Sequence, residues 1–171
     1  MIVKMPGTMS HPVYLAAEVK CEARWLTVPT SHHGEYGVRV QVITPYSLAQ
    51  QQDRPCLLYA HGGGAVGGRA DQFTPYLSLL AARCGVVVFN VDYRKAPATT
   101  CPHNVLDFVA VVRHVASRAA QLGVDPVRIG IVGESGGGYI CAGAAVELAR
   151  SGLIKQLSST MCCAGGARPG W

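Results

Sequence analysis

Apolar residues along this chain fall into short continuous runs, separated by longer stretches where they recur at helical spacing. Cys56–Ala60, Val86–Val91 and Val127–Val132 are runs of the length and composition of strands buried on both faces. Ala23–Val28 and Val38–Ile43 read as two further strands, joined across Thr30–Tyr36 in an antiparallel hairpin with Gly34 available for the turn. Between the runs, Pro75–Cys84 reads as a helix with Thr74 as its cap and Pro75 in its first position. From Pro102 onward, Val105, Phe108, Val109, Val112, Val115, Ala116 and Ala119 recur on one face of a helix that Gly123 ends. Gly136–Arg150 reads as a helix of small residues, suited to lie close against a sheet. Strands alternating with helices predict an α/β fold, mostly a parallel sheet with helices on both faces and right-handed crossovers. Gln50–Arg54 reads as a polar loop and Tyr14–Cys21 as a short helix. Residues 151–171 read as an irregular tail: Ser151–Lys155 could lead toward another strand, but Cys162–Trp171 is too rich in Gly and Pro to be one.

Composition narrows the class. A chain of 171 residues, 49% hydrophobic, is one domain at most and can bury a real core. No apolar run approaches the roughly 18 residues of a membrane helix. Pro6, His11 and Glu18 interrupt any leader-like apolar segment. The net charge of +5 is spread along the chain rather than clustered, so it implies ordinary surface charge and no nucleic-acid partner. Seven cysteines, an odd number with no C-x-x-C spacing, imply reduced thiols in a cytoplasmic protein and no metal site.

Two motifs bring in chemistry. Gly133-Glu134-Ser135-Gly136-Gly137 follows the Val127–Val132 strand and precedes the small-residue helix. A strand, G-x-S-x-G and a helix make a nucleophile elbow, a sharp turn that lifts the serine hydroxyl clear of the backbone. Glycines two before and two after the serine are needed there because a side chain would clash. Elsewhere, Cys56–Ala60 runs into His61-Gly62-Gly63-Gly64. Consecutive glycines leave backbone N–H groups free to point at one oxygen. Together with the Gly136 N–H they would form an oxyanion hole, in which losing a single donor costs on the order of 3 kcal/mol.

These pieces resemble the hormone-sensitive-lipase-like α/β-hydrolases. The resemblance runs over roughly residues 37–150 and rests on His61-Gly62-Gly63-Gly64, Asp92-Tyr93-Arg94-Lys95-Ala96-Pro97, Gly123–Ile129 and the elbow, in family order. It implies an α/β-hydrolase fold and cofactor-free hydrolysis of small carboxylic esters. It makes Ser135 the nucleophile and Gly63, Gly64 and Gly136 the oxyanion donors. His61, Tyr93 and Arg94 become supports of the glycine loop, and Gly62, Gly133, Glu134 and Gly137 supports of the motif turns. Three residues depart from the family pattern: Ala65 where an aromatic is common, which implies a wider pocket, Gly136 for the usual alanine, and Ala98 where an acid often stands. Residues 1–36 then read as a cap-like segment with the first strand, and 37–150 as the N-terminal part of the hydrolase domain.

The family order is serine, then acid, then histidine. The last histidine of this chain is His114 and the last aspartate Asp125, both ahead of Ser135. The expectation is therefore a truncated hydrolase with its C-terminal strands missing, weakly active or inactive. Its exposed sheet edge would suit a partner or a second copy. His32 or His33 could substitute as base, whereas His103 and His114 read as surface or satisfied residues. Two other readings remain open. One is a non-catalytic hydrolase-like fragment that binds a ligand or partner. The other is a dinucleotide site, since Gly62–Gly67 matches G-x-G-x-x-G and Asp92 ends the next strand. Against it, the helix would have to open at Gly67, and its best start is Thr74–Pro75.

Overall fold

The computed structural model describes residues 20–30 and 37–152, together with the backbone of 157–163. Six strands make one sheet: β1 (Cys21–Pro29), β2 (Gly37–Pro45), β3 (Arg54–Ala60), β4 (Val87–Asp92), β5 (Val124–Glu134) and β6 (Leu157–Cys163). Their order is β1-β2-β4-β3-β5-β6. β1, β2 and β4 pair antiparallel, while β4, β3, β5 and β6 run parallel. The helices are α1 (Thr74–Cys84), α2 (His103–Ser117), α3 (Ala119–Leu122) and α4 (Gly136–Arg150). This is the α/β arrangement, a mostly parallel sheet between helices, expected from the alternation of runs.

The β4 sequence shows why both faces are covered. Val87, Phe89 and Val91 pack into one core, and Val88 points into the other. Successive strand residues face opposite sides, so an all-apolar strand demands a cover on each. On one side Phe108, Val112 and Val115 of α2 and Ile140 and Leu148 of α4 supply it. On the other, Leu77 and Ala81 of α1 close over Ile43, Tyr59 and Val88. Each such large side chain taken out of water contributes about 1.5–3 kcal/mol.

Several elements differ from the sequence expectation. Cys21 opens β1 rather than ending a helix. Thr74 does not cap α1; its hydroxyl lies 2.8 Å from both Asp71 O and Gln41 Oε1 and ties the helix start to β2. The long helix from Pro102 breaks at Arg118, whose backbone is not helical, before the turn α3. Arg54 belongs to β3, and its guanidinium donates to Gly123 O at 2.7 Å and Leu122 O at 2.6 Å, capping the carbonyl end of α3. Within the expected irregular tail, residues 157–163 form β6. A strand on the edge of β5 is held by backbone hydrogen bonds, and the Gly and Pro residues fall after Cys163, so the composition argument missed it. Tyr14–Val19, His32, His33 and the Gly34 turn lie outside the described residues.

Candidate active site

β3 and β5 are neighbours, and their register pairs Ala60 with Gly133. The segments that leave their carboxyl ends, His61–Gly64 and Glu134–Gly136, therefore emerge side by side. In open α/β sheets this is where ligands bind.

At the end of β5 the chain turns within one residue. Ser135 has φ 49° and ψ −121°, a conformation that strains any residue with a β-carbon. Its carbonyl accepts the Gly138 N–H at 2.9 Å, which starts α4 at once. A β-carbon on Gly133 would collide with the Gly137 backbone, and one on Gly137 would collide with Ala60. Glycine at both positions is thus a matter of space, as the elbow pattern anticipates.

The glycine loop is a closed turn rather than a flexible tether. Gly63 O accepts the N–H groups of Val66 (3.1 Å) and Gly67 (2.9 Å). Gly63, Gly64 and Ala65 all have positive φ (122°, 64° and 61°), so the three carry the backbone through a left-handed arc. Among the described residues, the N–H groups of Gly63 and Gly64 have no protein acceptor. The loop then passes through a 3-10 turn, Ala70–Phe73, before α1 starts at Thr74. No helix opens at Gly67, and the dinucleotide reading falls with that geometry.

Behind the loop lies a buried stack. The His61 ring lies 4.4 Å from Tyr93 and 5.5 Å from Phe73, both nearly parallel to it. Its Nδ1 donates to Gly62 O at 2.7 Å, and burial pushes its pKa below the usual 6.5, so the ring is neutral. Its Nε2 is buried without a partner among the described residues. The Tyr93 hydroxyl donates to His61 O at 2.7 Å. The Ala96 N–H donates to Ala65 O at 2.9 Å, bracing the loop from the β4 side. That segment is itself anchored by Arg94. Its backbone N–H (3.1 Å) and Nε (2.8 Å) donate to Asp107 Oδ2, and its Nη2 to Asp107 Oδ1. Asp107 is wholly buried on α2. Nothing local in the sequence marked Asp107; only its position on the apolar face of α2 could have. Glu134 is half-buried beside Gly62. Burial raises its carboxyl, and the Tyr59 hydroxyl and the Gly62 N–H draw it partly back.

Loop and elbow together open on a cavity of about 360 Å³. Gly64 and Ala65 line it from the loop, and Ser135, Gly136, Tyr139 and Ile140 from the elbow and α4. Cys101, Asn104 and Val105 close it from the start of α2. The structure thus brings Ser135, Gly64 and Gly136 to one space, with Gly63 in the same loop. His61, Tyr93 and Arg94 sit behind that loop. No histidine lines the cavity among the described residues: His61 is sealed in the stack, and His103 Nδ1 lies 3.2 Å from Thr100 O.

Residues 57–167 match the family model of the alpha/beta hydrolase fold. The chain belongs to that family. It is 35% identical over 134 residues to the carboxylesterase NlhH of Mycobacterium tuberculosis, covering 78% of this chain and 40% of that protein. Of solved structures, it is similar to a bacterial heroin esterase, with a TM-score of 0.78 and 31% identity over 87% of this chain and 46% of the other. EstE1, a thermostable carboxylesterase cloned from a metagenomic library, gives 0.74 and 33% identity, covering 82% and 46%. The resemblance to hormone-sensitive-lipase-like carboxylesterases holds over most of the chain. The chain spans less than half the length of these relatives. No helix among the described residues is long and apolar enough to cross a membrane.

Proposed function

We propose that this chain carries the nucleophile and the oxyanion site of a carboxylic ester hydrolase. The observation that carries the reading is the strained Ser135 elbow opening on one cavity with Gly64 and Gly136. Ser135 Oγ attacks the ester carbonyl carbon and the alcohol leaves. The N–H groups of Gly63, Gly64 and Gly136 hold the developing oxyanion, and water then releases the acid from the acyl-serine. Donors fixed in advance by a closed loop need no reorganisation during the reaction, which is the source of their effect. The esterase names of the relatives support a small ester as substrate, with no cofactor called for by this chemistry.

Ser135 needs a base, and no histidine of the described residues faces it. Loss of the histidine in a serine triad lowers kcat on the order of a millionfold. An oxyanion hole and binding still leave roughly 10³–10⁴ over water. We therefore propose weak activity for these 171 residues by themselves. The second reading, a ligand-binding hydrolase-like unit without turnover, is favoured by the lack of a histidine beside Ser135 among the described residues.

Release of 4-nitrophenolate from 4-nitrophenyl acetate by the wild-type chain and by Ser135→Ala separates them. The expected result is slow release above buffer that the substitution removes. Equal release by the two proteins rules out the nucleophile assignment. Brisk release lost on substitution overturns the incomplete-site reading and would mean that a base from residues outside the described set reaches Ser135.

A further inference from the structure

Gly136 occupies the first position of α4, where alanine is the better helix former. It does not adopt a left-handed φ, so its backbone does not demand glycine. Space does. A β-carbon there would lie 2.8 Å from Gly64 N, 2.9 Å from Gly64 Cα and 3.0 Å from Ala65 N, all of them backbone atoms. The loop has little freedom to retreat. Gly63 O holds Val66 and Gly67, Ala65 O holds the Ala96 N–H, and Ala65 sits at φ 61°, which few residues other than glycine adopt. A backbone donor tolerates glycine at 136, and here the loop occupies the space that a β-carbon at that position would need.

We propose that Gly136 is a positioning residue: by lacking a side chain it sets the depth at which Gly64 and Ala65 dock on the elbow, and so where the Gly64 N–H points relative to Ser135. Ala65 is its counterpart, stiffening the loop at that depth. The proposal rests on the acyl-transfer reading of the site and adds the residues that tune it.

The test uses the 171-residue chain with Gly136→Ala, Ala65→Gly and the pair. Amide resonances of Gly64 and Ala65 report the loop, and the saturable rate of Ser135 labelling by a small fluorophosphonate reports its alignment. Gly136→Ala should move both resonances and slow the maximal labelling rate about tenfold, a fraction of the loss for an absent donor, with the half-saturating probe concentration unchanged. Ala65→Gly alone should slow labelling a few-fold. It should let the loop yield to the methyl group, so that the pair labels faster than Gly136→Ala. Unmoved resonances with labelling within about twofold of wild type would overturn the proposal, as would a pair whose losses simply add. If the wild type labels no better than Ser135→Ala, the ester-hydrolase reading fails, and the amide resonances alone decide whether Gly136 sets the loop. Should Gly136→Ala not fold, an unchanged labelling rate in Ala65→Gly overturns the proposal.

Discussion

Gly137 leaves no room for a β-carbon between the elbow and Ala60, so Gly137→Ala must displace backbone on β3 or α4. Overpacking of this kind costs about 1–3 kcal/mol, and a rigid backbone contact puts the expectation near the top of that range. Urea unfolding checks it, and a change below about 0.5 kcal/mol would mean that the elbow and β3 are less tightly docked than described. His61 makes a different prediction at the same scale. Burial holds its folded pKa below the 6.5 of an exposed imidazole. Between those two values the unfolded chain carries a proton that the folded chain does not. Stability from this group is therefore full above about pH 6.5 and falls as the pH drops below it. His114, also lowered by burial, adds the same sign. Glu134, raised by burial, opposes it, because folding favours its protonated form in acid. The urea midpoint should be lower at about pH 5.5 than at about pH 7.5, and His61→Phe, which keeps the stacked ring, should shrink that difference. These residues were legible to different degrees. Ser135 announced itself through the glycines around it, each the residue type that a crowded turn permits, although the serine itself is strained there. Asp107 did not, because its role is to meet Arg94 from a distant helix.

At the scale of elements, runs and periodicity gave the strands and helices because burial on two faces or one stripe leaves a direct mark on sequence. What they could not give was contact across the chain. Arg54, read as the end of a polar loop, reaches Leu122 and Gly123 and closes α3. Hydrogen bonds to a charged donor contribute about 1.5–3 kcal/mol. Arg54→Ala should therefore destabilise the chain by about 1–2 kcal/mol, because Arg54 is only partly buried and water takes over part of its role. Chemical denaturation measures it, and amide exchange should rise first in Ala119–Leu122. β6, toward which Ser151–Lys155 could lead, was not placed for a related reason: a strand laid along β5 is specified by the partner edge, and its own composition says little. The break at Arg118 likewise leaves no mark in the apolar spacing, and α3 leads on through Gly123 into β5.

For the whole molecule, the register of β3 against β5 is the fact that joins the two motifs. Ala60 beside Gly133 puts the glycine loop and the elbow on one rim of one sheet, and neither motif alone would specify a site. The chain covers less than half of the esterases it resembles, and the proposed nucleophile and donors all lie on this described rim. If the rim is formed as described, Ser135 should still be singled out among the serines of the chain by a reagent that mimics acyl transfer. The most direct measurement is intact-mass and peptide mapping after exposure to a small fluorophosphonate. The account predicts a single adduct, on Ser135, absent from Ser135→Ala and formed faster than on any other serine. Adducts scattered over surface serines, or an equal yield in Ser135→Ala, would contradict it.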